Sequence, residues 1–350
     1  MILVVKFAVV GAGIIGQLRA RAIVEQPGTS LVGVADPDHV RATQAAGASR
    51  ARTTVDYREL VADPGIEAII IATPVQMHEE MAVAALSAGK HVLCEKPLAN
   101  SVEGCRRILD AARTAGRTLA VGFNHRYYPS VKFMRQAIDA GRIGTIDHVR
   151  VFGGHDGLSN FRADWMYKGE ISGGGAMMDV GIHTTDLTRY ILGDIREVYG
   201  VATNHIWHVD RSEDNAVAIF KSDAGVPAFY QATWAEWKGY RFYIEAYGDR
   251  GMVRAYYAPM FNLLITQDKP GGSRTRQRKF YPEVIVREKL RGWQTTTYLS
   301  FQEELADFLR MVNGERVPLA DGWSGFRAVE IAHAVYQSTK TGAPVALALA

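Results

Sequence analysis

The stretch Val4–Gly16 reads VVKFAVVGAGIIG and decides the class of fold. A short apolar run, typical of a strand buried on both faces of a parallel sheet, leads into a G-x-G-x-x-G turn, and a helical pattern follows. Twenty residues after the last of these glycines, at the end of the next apolar run, stands an aspartate. A βαβ unit of this kind binds a dinucleotide, because the glycines allow a tight turn and the helix N-terminus presents free N–H groups to the phosphates. The residues expected to contact the cofactor here are Gly11, Gly13, Ile14, Ile15, Gly16 and Asp36.

The acidic residue Asp36 favours NAD over NADP. Its carboxylate can accept hydrogen bonds from a ribose diol and would repel a 2′-phosphate. The nearest cation, Arg41, lies about one helical turn further along the chain. The sequence therefore predicts NAD as the cofactor, with an NADP-linked enzyme as the less favoured alternative.

Strands alternate with helices over the first third of the chain. Five short runs rich in valine and isoleucine are separated by four helical patterns, and this alternation predicts a doubly wound α/β domain. The predicted strands are Val4–Val10, Leu31–Ala35, Ala68–Ala72, His91–Cys94 and Thr118–Phe123, and the predicted helices are Ile14–Glu25, Tyr57–Ala62, Gln76–Ala88 and Val102–Ala115.

The pattern changes after Phe123. Longer runs with aromatic and β-branched residues follow, separated by short turns, which is typical of an antiparallel sheet. Further helices are predicted near 130–140, 176–192, 295–313 and 324–341. We therefore expect two domains: a Rossmann domain over residues 1–123 with a doubly wound parallel sheet, and an α+β domain over residues 124–350 with a mostly antiparallel sheet.

The composition excludes several classes of protein. With 47% hydrophobic residues, 22% charged residues and a net charge of +3 over 350 residues, the chain is neither disordered nor basic enough to attract nucleic acid or anionic lipid. Cys94 and Cys105 have neither metal-binding nor disulfide-framework spacing, so we expect no metal and a reducing compartment. No run reaches the roughly 18 apolar residues of a membrane helix, and the N-terminus lacks the basic region of a signal peptide. We expect a soluble, cytoplasmic protein that binds small molecules, not a membrane or nucleic acid.

Several later motifs resemble the glucose–fructose oxidoreductase / inositol dehydrogenase family. They span nearly the whole chain in the order that the family shows. They are Ala72-Thr73-Pro74 with His78, Cys94-Glu95-Lys96-Pro97, Gly122-Phe123-Asn124-His125-Arg126-Tyr127, GGGAMMDVGIHTTDL from Gly173 to Leu187, Ser212-Glu213-Asp214 and Tyr247-Gly248-Asp249-Arg250-Gly251. The resemblance implies a Rossmann domain followed by a substrate domain with an open sheet. It also implies an enzyme that moves a hydride between a nicotinamide and a carbinol, usually on a sugar, sugar nucleotide or cyclitol.

The resemblance assigns roles to individual residues. Lys96 would hydrogen-bond the reacting oxygen, His183 would be the general acid/base, and Asp179 would help to hold the substrate and the histidine. The residue types suit this chemistry, because a histidine titrates near working pH and a lysine stabilises alkoxide character. Asp179 and His183 are four residues apart in a helical pattern, so we expect them on one helix face. The family residues that would line the nicotinamide side are Thr73, Pro74, His78, Glu95 and Lys96.

Three further residues are candidate substrate contacts. Arg126 stands at the domain junction, His155 follows a predicted strand, and Trp165 precedes the glycine run. A sugar ring packs readily on an aromatic face such as that of a tryptophan, although a tryptophan serves as often in a core. The substrate contacts predicted in all are Lys96, Arg126, His155, Trp165, Asp179 and His183.

The sequence leaves several alternatives open. They are an NADP-linked reductase of sugar ketones or diols, the family's NAD-dependent glycosidase type with transient oxidation, and a non-catalytic regulator that senses NAD and a sugar. An open sheet leaves one apolar face to cover, so we expect a homo-dimer or homo-tetramer. The basic segment Gly271–Gly292 reads as a solvated hairpin or loop, or alternatively as an arm toward a neighbouring subunit or a receiver of an acidic substrate group.

Overall fold

The computed structural model describes residues 4–157, 163–269 and 271–348. The chain forms two compact units. The first runs to Asn124 and takes up Gln294–Arg327 again; the second holds His125–Trp293 and the chain from Ala328 onward. Assigning all residues from 124 to 350 to one domain was therefore wrong for Gln294–Arg327, which return to the first unit.

The first unit contains a six-stranded parallel sheet in the order β3-β2-β1-β4-β5-β6. This order, with the first strand in the middle, is that of a doubly wound Rossmann sheet. Its strands are β1 (Val5–Val10), β2 (Thr29–Ala35), β3 (Arg52–Thr54), β4 (Ala68–Ile71), β5 (His91–Glu95) and β6 (Leu119–Gly122). Its first helices are α1 (Ile14–Glu25), α2 (His39–Ala46), α3 (Tyr57–Ala62), α4 (His78–Ser87) and α5 (Val102–Ala115).

Two elements of this unit, β3 and α2, were not predicted. Strand β3 is only three residues long and carries Arg-Thr-Thr at the sheet edge, so no apolar run marks it. Helix α2 begins after Asp38, whose carboxylate accepts hydrogen bonds from the backbone N–H groups of Val40 and Arg41. This N-cap is the local signal that could have predicted the helix.

The returning segment begins with α10 (Gln294–Val312), which packs against α1. The ring of Phe308 lies 6.1 Å from that of Phe7 in the central strand β1. Tyr298 donates a hydrogen bond to Glu25 at the end of α1. Such contacts form only in the folded chain, so the local sequence pattern could not assign α10 to this unit.

The second unit contains a nine-stranded sheet in the order β14-β13-β12-β11-β7-β10-β9-β8-β15. Among its described strand pairs, β7 and β10 alone run parallel. The strands are β7 (Ile146–Gly154), β8 (Ile195–Thr203), β9 (Asn215–Ser222), β10 (Pro227–Thr233), β11 (Arg241–Gly248), β12 (Gly251–Tyr257), β13 (Phe261–Gln267), β14 (Arg274–Phe280) and β15 (Val345–Ala346). The helices are α6 (Pro129–Asp139), α7 (Gly169–Ser172), α8 (Val180–Leu192), α9 (Pro282–Arg291) and α11 (Gly322–Thr341), which crosses from the first unit into the second.

One face of this sheet is covered by helices and the other is open. Helix α8 packs on β7 and β10, with Thr184 and Thr185 hydrogen-bonded to the buried Tyr230. Phe229, the neighbour of Tyr230 on β10, points to the opposite face and is 52% exposed. Four more apolar side chains share that face and are 43–50% exposed: Tyr199, Val201, Val217 and Ile219.

The basic segment is a hairpin strand followed by a helix. Strand β14 pairs antiparallel with β13, and all seven of its residues are exposed. Helix α9 then continues to Arg291. The expectation of a solvated hairpin is thus confirmed for β14, whereas the helix after it was not predicted.

Candidate active site

The glycine turn after β1 has the geometry that a dinucleotide requires. A Cβ on Gly16 would lie 1.8 Å from the carbonyl oxygen of Gly11, and Gly11 itself has a φ of +91°. A Cβ on Gly13 would meet no protein atom within 4 Å, so this position opens outward. Helix α1 starts at Ile14 with no side-chain cap, which leaves the first N–H groups of the helix available to a phosphate. The turn therefore fits a pyrophosphate, with Ile14 and Ile15 in the first turn of the helix.

Asp36 lies at the end of β2 and is oriented by the same turn. Its Oδ2 accepts the backbone N–H of Ala12 at 2.7 Å, and its Oδ1 accepts that of Asp38 at 2.8 Å. Each oxygen keeps a second lone pair that can accept a ribose hydroxyl. The nearby cation Arg41 is paired with Asp38 at 3.1 Å. The geometry suits the diol of NAD better than a 2′-phosphate.

The turns after β4 and β5 are joined by His78, which is 1% exposed. Its Nδ1 lies 2.8 Å from the carbonyl oxygen of Pro97 and its Nε2 lies 2.9 Å from that of Thr73. Burial lowers the pKa of His78, and a neutral imidazole donates from only one nitrogen at a time. His78 therefore supports, from inside the protein, the two turns that carry Thr73, Pro74 and Lys96.

Glu95, the residue before Lys96, belongs to a buried ion cluster. The guanidinium of Arg19 on α1 lies 2.6 Å from Glu95 and 2.5 Å from Glu304 on α10. Arg19 is 1% exposed and its side chain also stacks over the ring of Phe301 at 3.6 Å. The returning helix α10 thus helps to fix the end of β5, where the half-buried Lys96 follows at the carboxyl edge of the sheet.

In the second unit, a glycine run leads to α8 and is held by Glu213. One carboxylate oxygen of Glu213 accepts the N–H of Gly175 at 2.9 Å, and the other accepts that of Met177 at 2.7 Å. Tyr336 on α11 donates its hydroxyl to the same carboxylate at 3.1 Å. A Cβ on Gly174 would lie 2.0 Å from that hydroxyl oxygen. The glycines are therefore needed for close packing against Glu213 and Tyr336.

This packing corrects the predicted start of the helix. We predicted a helix from Ala176, with Asp179 and His183 four residues apart on one face. Helix α8 begins at Val180, and Asp179 is its N-cap residue, with φ −94° and ψ −89°. The N–H groups of Gly175 and Met177 go to Glu213, so this segment forms a turn before the helix. His183 lies in the first helical turn and is 8% exposed.

The carboxylate of Asp179 is held by two nitrogen donors. Its Oδ2 lies 2.9 Å from Nε2 of His155 and 3.1 Å from Nε1 of Trp234. His155 follows β7 and Trp234 follows β10, and the parallel pairing of these strands brings the two rings to the same end of the sheet. His155 is thus close to Asp179, as the expectation of a shared site requires. Trp234 was not among the predicted site residues.

The ring of His183 stacks on that of His125, which belongs to an aromatic cluster. The imidazole of His125 stacks on that of His183 with centroids 3.9 Å apart, and Phe242 stacks on the other face of His125 at 4.8 Å. The hydroxyl of Tyr240 lies 3.2 Å from Nε2 of His125. Desolvation, followed by the charges of Tyr128 and Asp179, raises the pKa of Tyr240 above its ordinary value, so its hydroxyl stays protonated near neutral pH.

Arg126 and Trp165 have different surroundings. The guanidinium of Arg126 forms a bidentate pair with Asp186 at 2.5 and 2.7 Å, and both residues are buried. This buried pairing holds the guanidinium of Arg126, and its substrate contact stays a prediction. Trp165 is half-buried in a short 3₁₀ helix, Asp164–Tyr167. In the same helix, burial raises the pKa of Tyr167 to about 12, with the charges of Asp164 and Asp179 adding to the effect.

Neither a metal-binding cluster nor a membrane-spanning helix is found in the part of the chain that the structure describes. Over residues 4–157, 163–269 and 271–348, no group of three or more His, Cys, Asp or Glu side chains could hold a metal ion. In the same part of the chain, no helix is both long enough and apolar enough to cross a bilayer.

Comparisons with known proteins agree with this geometry. Residues 5–123 match the model of the oxidoreductase family with an NAD-binding Rossmann fold, and residues 131–254 match the GFO/IDH/MocA C-terminal domain. An inositol 2-dehydrogenase of Pseudomonas savastanoi pv. phaseolicola is 28% identical over 98% of this chain and 97% of its own. A 1,5-anhydro-D-fructose reductase of Ensifer adhaerens is 30% identical over 83% of each chain.

A solved structure shows the same fold. A levoglucosan dehydrogenase in complex with NADH and L-sorbose superposes with a TM-score of 0.86, at 24% identity over 98% of both chains. The two family matches cover most of the chain, and they agree with the glycine turn, the Rossmann strand order and the mostly antiparallel second sheet. The chain therefore belongs to the GFO/IDH/MocA oxidoreductase family and is an NAD-binding dehydrogenase of the class that acts on CH–OH groups.

Proposed function

We propose that the protein transfers a hydride between a secondary alcohol of a sugar, sugar derivative or cyclitol and NAD, with Lys96, Asp179 and His183 as the catalytic group. The observation that carries this proposal lies at the start of α8. There two N–H donors hold the carboxylate of Asp179, and the first turn of the helix that follows carries the buried imidazole of His183. The named activities of the inositol and anhydrofructose relatives support the substrate class.

The chain's own residues would supply the proton chemistry. Bound NAD provides the hydride acceptor. The imidazole of His183 removes the hydroxyl proton during oxidation and returns it during reduction. The ammonium of Lys96 hydrogen-bonds the reacting oxygen and stabilises the negative charge that develops there. The carboxylate of Asp179 orients the substrate by accepting a hydroxyl hydrogen bond.

The substrate contacts in this proposal differ from the sequence expectation. We leave out Arg126, because Asp186 binds its guanidinium in a buried pair. Trp165 stays as the proposed wall against which a sugar ring packs. On the cofactor side, the first helical turn of α1 and Asp36 would hold NAD, while Thr73, Pro74 and Glu95 would line the nicotinamide.

The test of the function is a substrate panel. Purified protein is mixed with NAD and with monosaccharides, uronates, anhydrosugars and inositols, and NADH is followed by absorbance. Net NADH formation with at least one compound is expected, and it also excludes a glycosidase that oxidises its sugar only transiently. Bound NAD with no reduction across the panel would contradict the proposal and indicate a sensing regulator. Faster turnover with NADP than with NAD would contradict the cofactor assignment from Asp36.

We also propose a homo-oligomer, a dimer or tetramer, in which a second copy covers the open face of the nine-stranded sheet. The five half-exposed apolar side chains on β8, β9 and β10 support this, because monomeric proteins rarely expose a contiguous apolar patch of that kind. Light scattering should give a multiple of the 38.5 kDa chain mass. Phe229→Lys should reduce that mass, whereas Val40→Lys, at an apolar site that is 64% exposed on α2, should not. A monomeric wild type would contradict the proposal.

A further inference from the structure

We propose that His155 and Trp234 are positioning residues for Asp179: two fixed N–H donors that hold one carboxylate oxygen and keep the group an acceptor for the substrate. The inference rests on the proposed function, because it concerns how the candidate catalytic carboxylate is prepared for its role. It differs from the sequence expectation, in which His155 itself contacts the substrate.

The backbone defines the proton position on His155. Its Nδ1 lies 3.1 Å from the backbone nitrogen of Gly157, and a backbone N–H can only donate. Nδ1 must therefore carry a lone pair, and the ring proton sits on Nε2. That nitrogen donates to Oδ2 of Asp179 at 2.9 Å. The contact is consequently a hydrogen bond from a neutral imidazole to a carboxylate.

Gly157 has a conformation that favours glycine. Its φ is +65°, in the left-handed region. A Cβ there would lie 2.3 Å from Nε1 of Trp207 and 2.6 Å from the carbonyl oxygen of Trp234. The close packing of these groups brings the N–H of Gly157 to His155, so the tautomer of His155 is set by the fold.

Trp234 is fixed along its whole length. Its ring is 1% exposed, and its backbone N–H donates to Asp214 at 2.7 Å. Its carbonyl oxygen accepts the indole N–H of Trp207 at 2.8 Å. The indole N–H of Trp234 then donates to Oδ2 of Asp179 at 3.1 Å, the same oxygen that His155 contacts. A rigid donor of this kind loses little entropy when it orients its partner.

The two donors favour the ionised form of Asp179, because hydrogen bonds to a carboxylate stabilise its charge. Two phenols lie close enough to feel its charge. Tyr167 and Tyr240 both have pKa values raised mainly by desolvation, so they stay neutral near pH 7. His183 lies one helical turn along α8.

The test uses Trp234→Phe and His155→Ala, each of which removes one donor. The matched control is Trp237→Phe, which changes a tryptophan that is 72% exposed. We measure kcat and KM for a substrate found in the panel. Each lost donor should raise KM roughly tenfold with a smaller effect on kcat, because Asp179 orients the substrate whereas His183 moves the proton. His155→Gln, whose amide nitrogen reaches the position of Nε2, should recover part of that change, and the control should keep the wild-type values.

A second measurement does not depend on turnover. Nitrogen NMR of imidazole-labelled wild-type protein should show His155 with its proton on Nε2 and its lone pair on Nδ1. A ring with its proton on Nδ1 and its lone pair on Nε2 would overturn the inference. An unchanged KM in both donor variants would overturn it as well. A wild type without any dehydrogenase activity would refute the proposed function, while the NMR result would still decide the inference.

Discussion

Replacement of the buried Glu213 by glutamine should change how the stability of the protein depends on pH. Glu213 is 5% exposed, and burial raises its pKa from 4.5 to about 7, against the opposing effect of the N–H groups of Met177 and Gly175. The native state therefore keeps a proton that the unfolded state loses between pH 4.5 and 7. Because the native state binds more protons in this window, its free energy of unfolding falls as the pH rises.

The size of the effect follows from the two pKa values. Each pH unit between them is worth about 1.4 kcal/mol, so the loss amounts to roughly 3 kcal/mol, of which about 2.5 kcal/mol falls between pH 5 and pH 8. Below pH 4.5 the contribution is fully present, and above pH 7 it is lost. Glu213→Gln does not titrate, so the wild type should become less stable relative to this variant by about that amount as the pH rises.

The assay is denaturant unfolding at a fixed protein concentration, followed by tryptophan fluorescence at several pH values between 5 and 8. Glu79→Gln is the matched control, because hydrogen bonding to Arg107 lowers the pKa of Glu79. Its contribution has the opposite sign: it is present above the unfolded pKa and is lost as the pH falls. Parallel stability curves for the wild type and Glu213→Gln would refute the reasoning.

Two other perturbations probe the cofactor turn and the buried ion pair. Gly16→Ala places a methyl group 1.8 Å from the Gly11 carbonyl oxygen, so thermal melting and a fluorescence titration with NAD should show loss of both stability and NAD binding. Gly13→Ala should keep the wild-type stability and weaken only NAD binding. Equal melting temperatures for the two variants would contradict the packing argument. Asp186→Ala leaves the guanidinium of Arg126 buried without this partner and should cost about 3–5 kcal/mol in denaturant unfolding, whereas Arg126→Met combined with Asp186→Leu should recover most of that loss.

The sequence predicts the first unit well, because its signals are local. Buried parallel strands are short apolar runs, and the glycine turn combines a strand, a tight turn and a helix within a few residues. Helices α1, α3 and α5 have the predicted bounds. The return of α10 could not be predicted, since it depends on contacts such as Phe308 with Phe7 and Glu304 with Arg19, which join distant parts of the chain.

The sequence identifies candidate site residues, which stay predictions, but not the contacts that surround them. The family resemblance identified Asp179 and His183, yet Trp234 and Tyr240 were missed as neighbours of Asp179. Their positions depend on strand order: β10 lies beside β7 in parallel, and only that pairing brings Trp234 next to His155. The aromatic stretch at 233–237 was a signal, but period-two alternation could not say which ring faces the site. Arg126 was a predicted substrate contact, but the sequence did not reveal its buried partner Asp186, because Asp186 lies in a later helix.

The central claim is that Lys96 and His183 perform the chemistry while other residues bind the cofactor. The most direct measurement is the turnover of Lys96→Ala and His183→Ala with a substrate found in the panel, together with the NAD affinity of each variant. Each turnover rate should fall by orders of magnitude while the NAD affinity stays within a few-fold of wild type. Wild-type turnover in both variants would contradict the account.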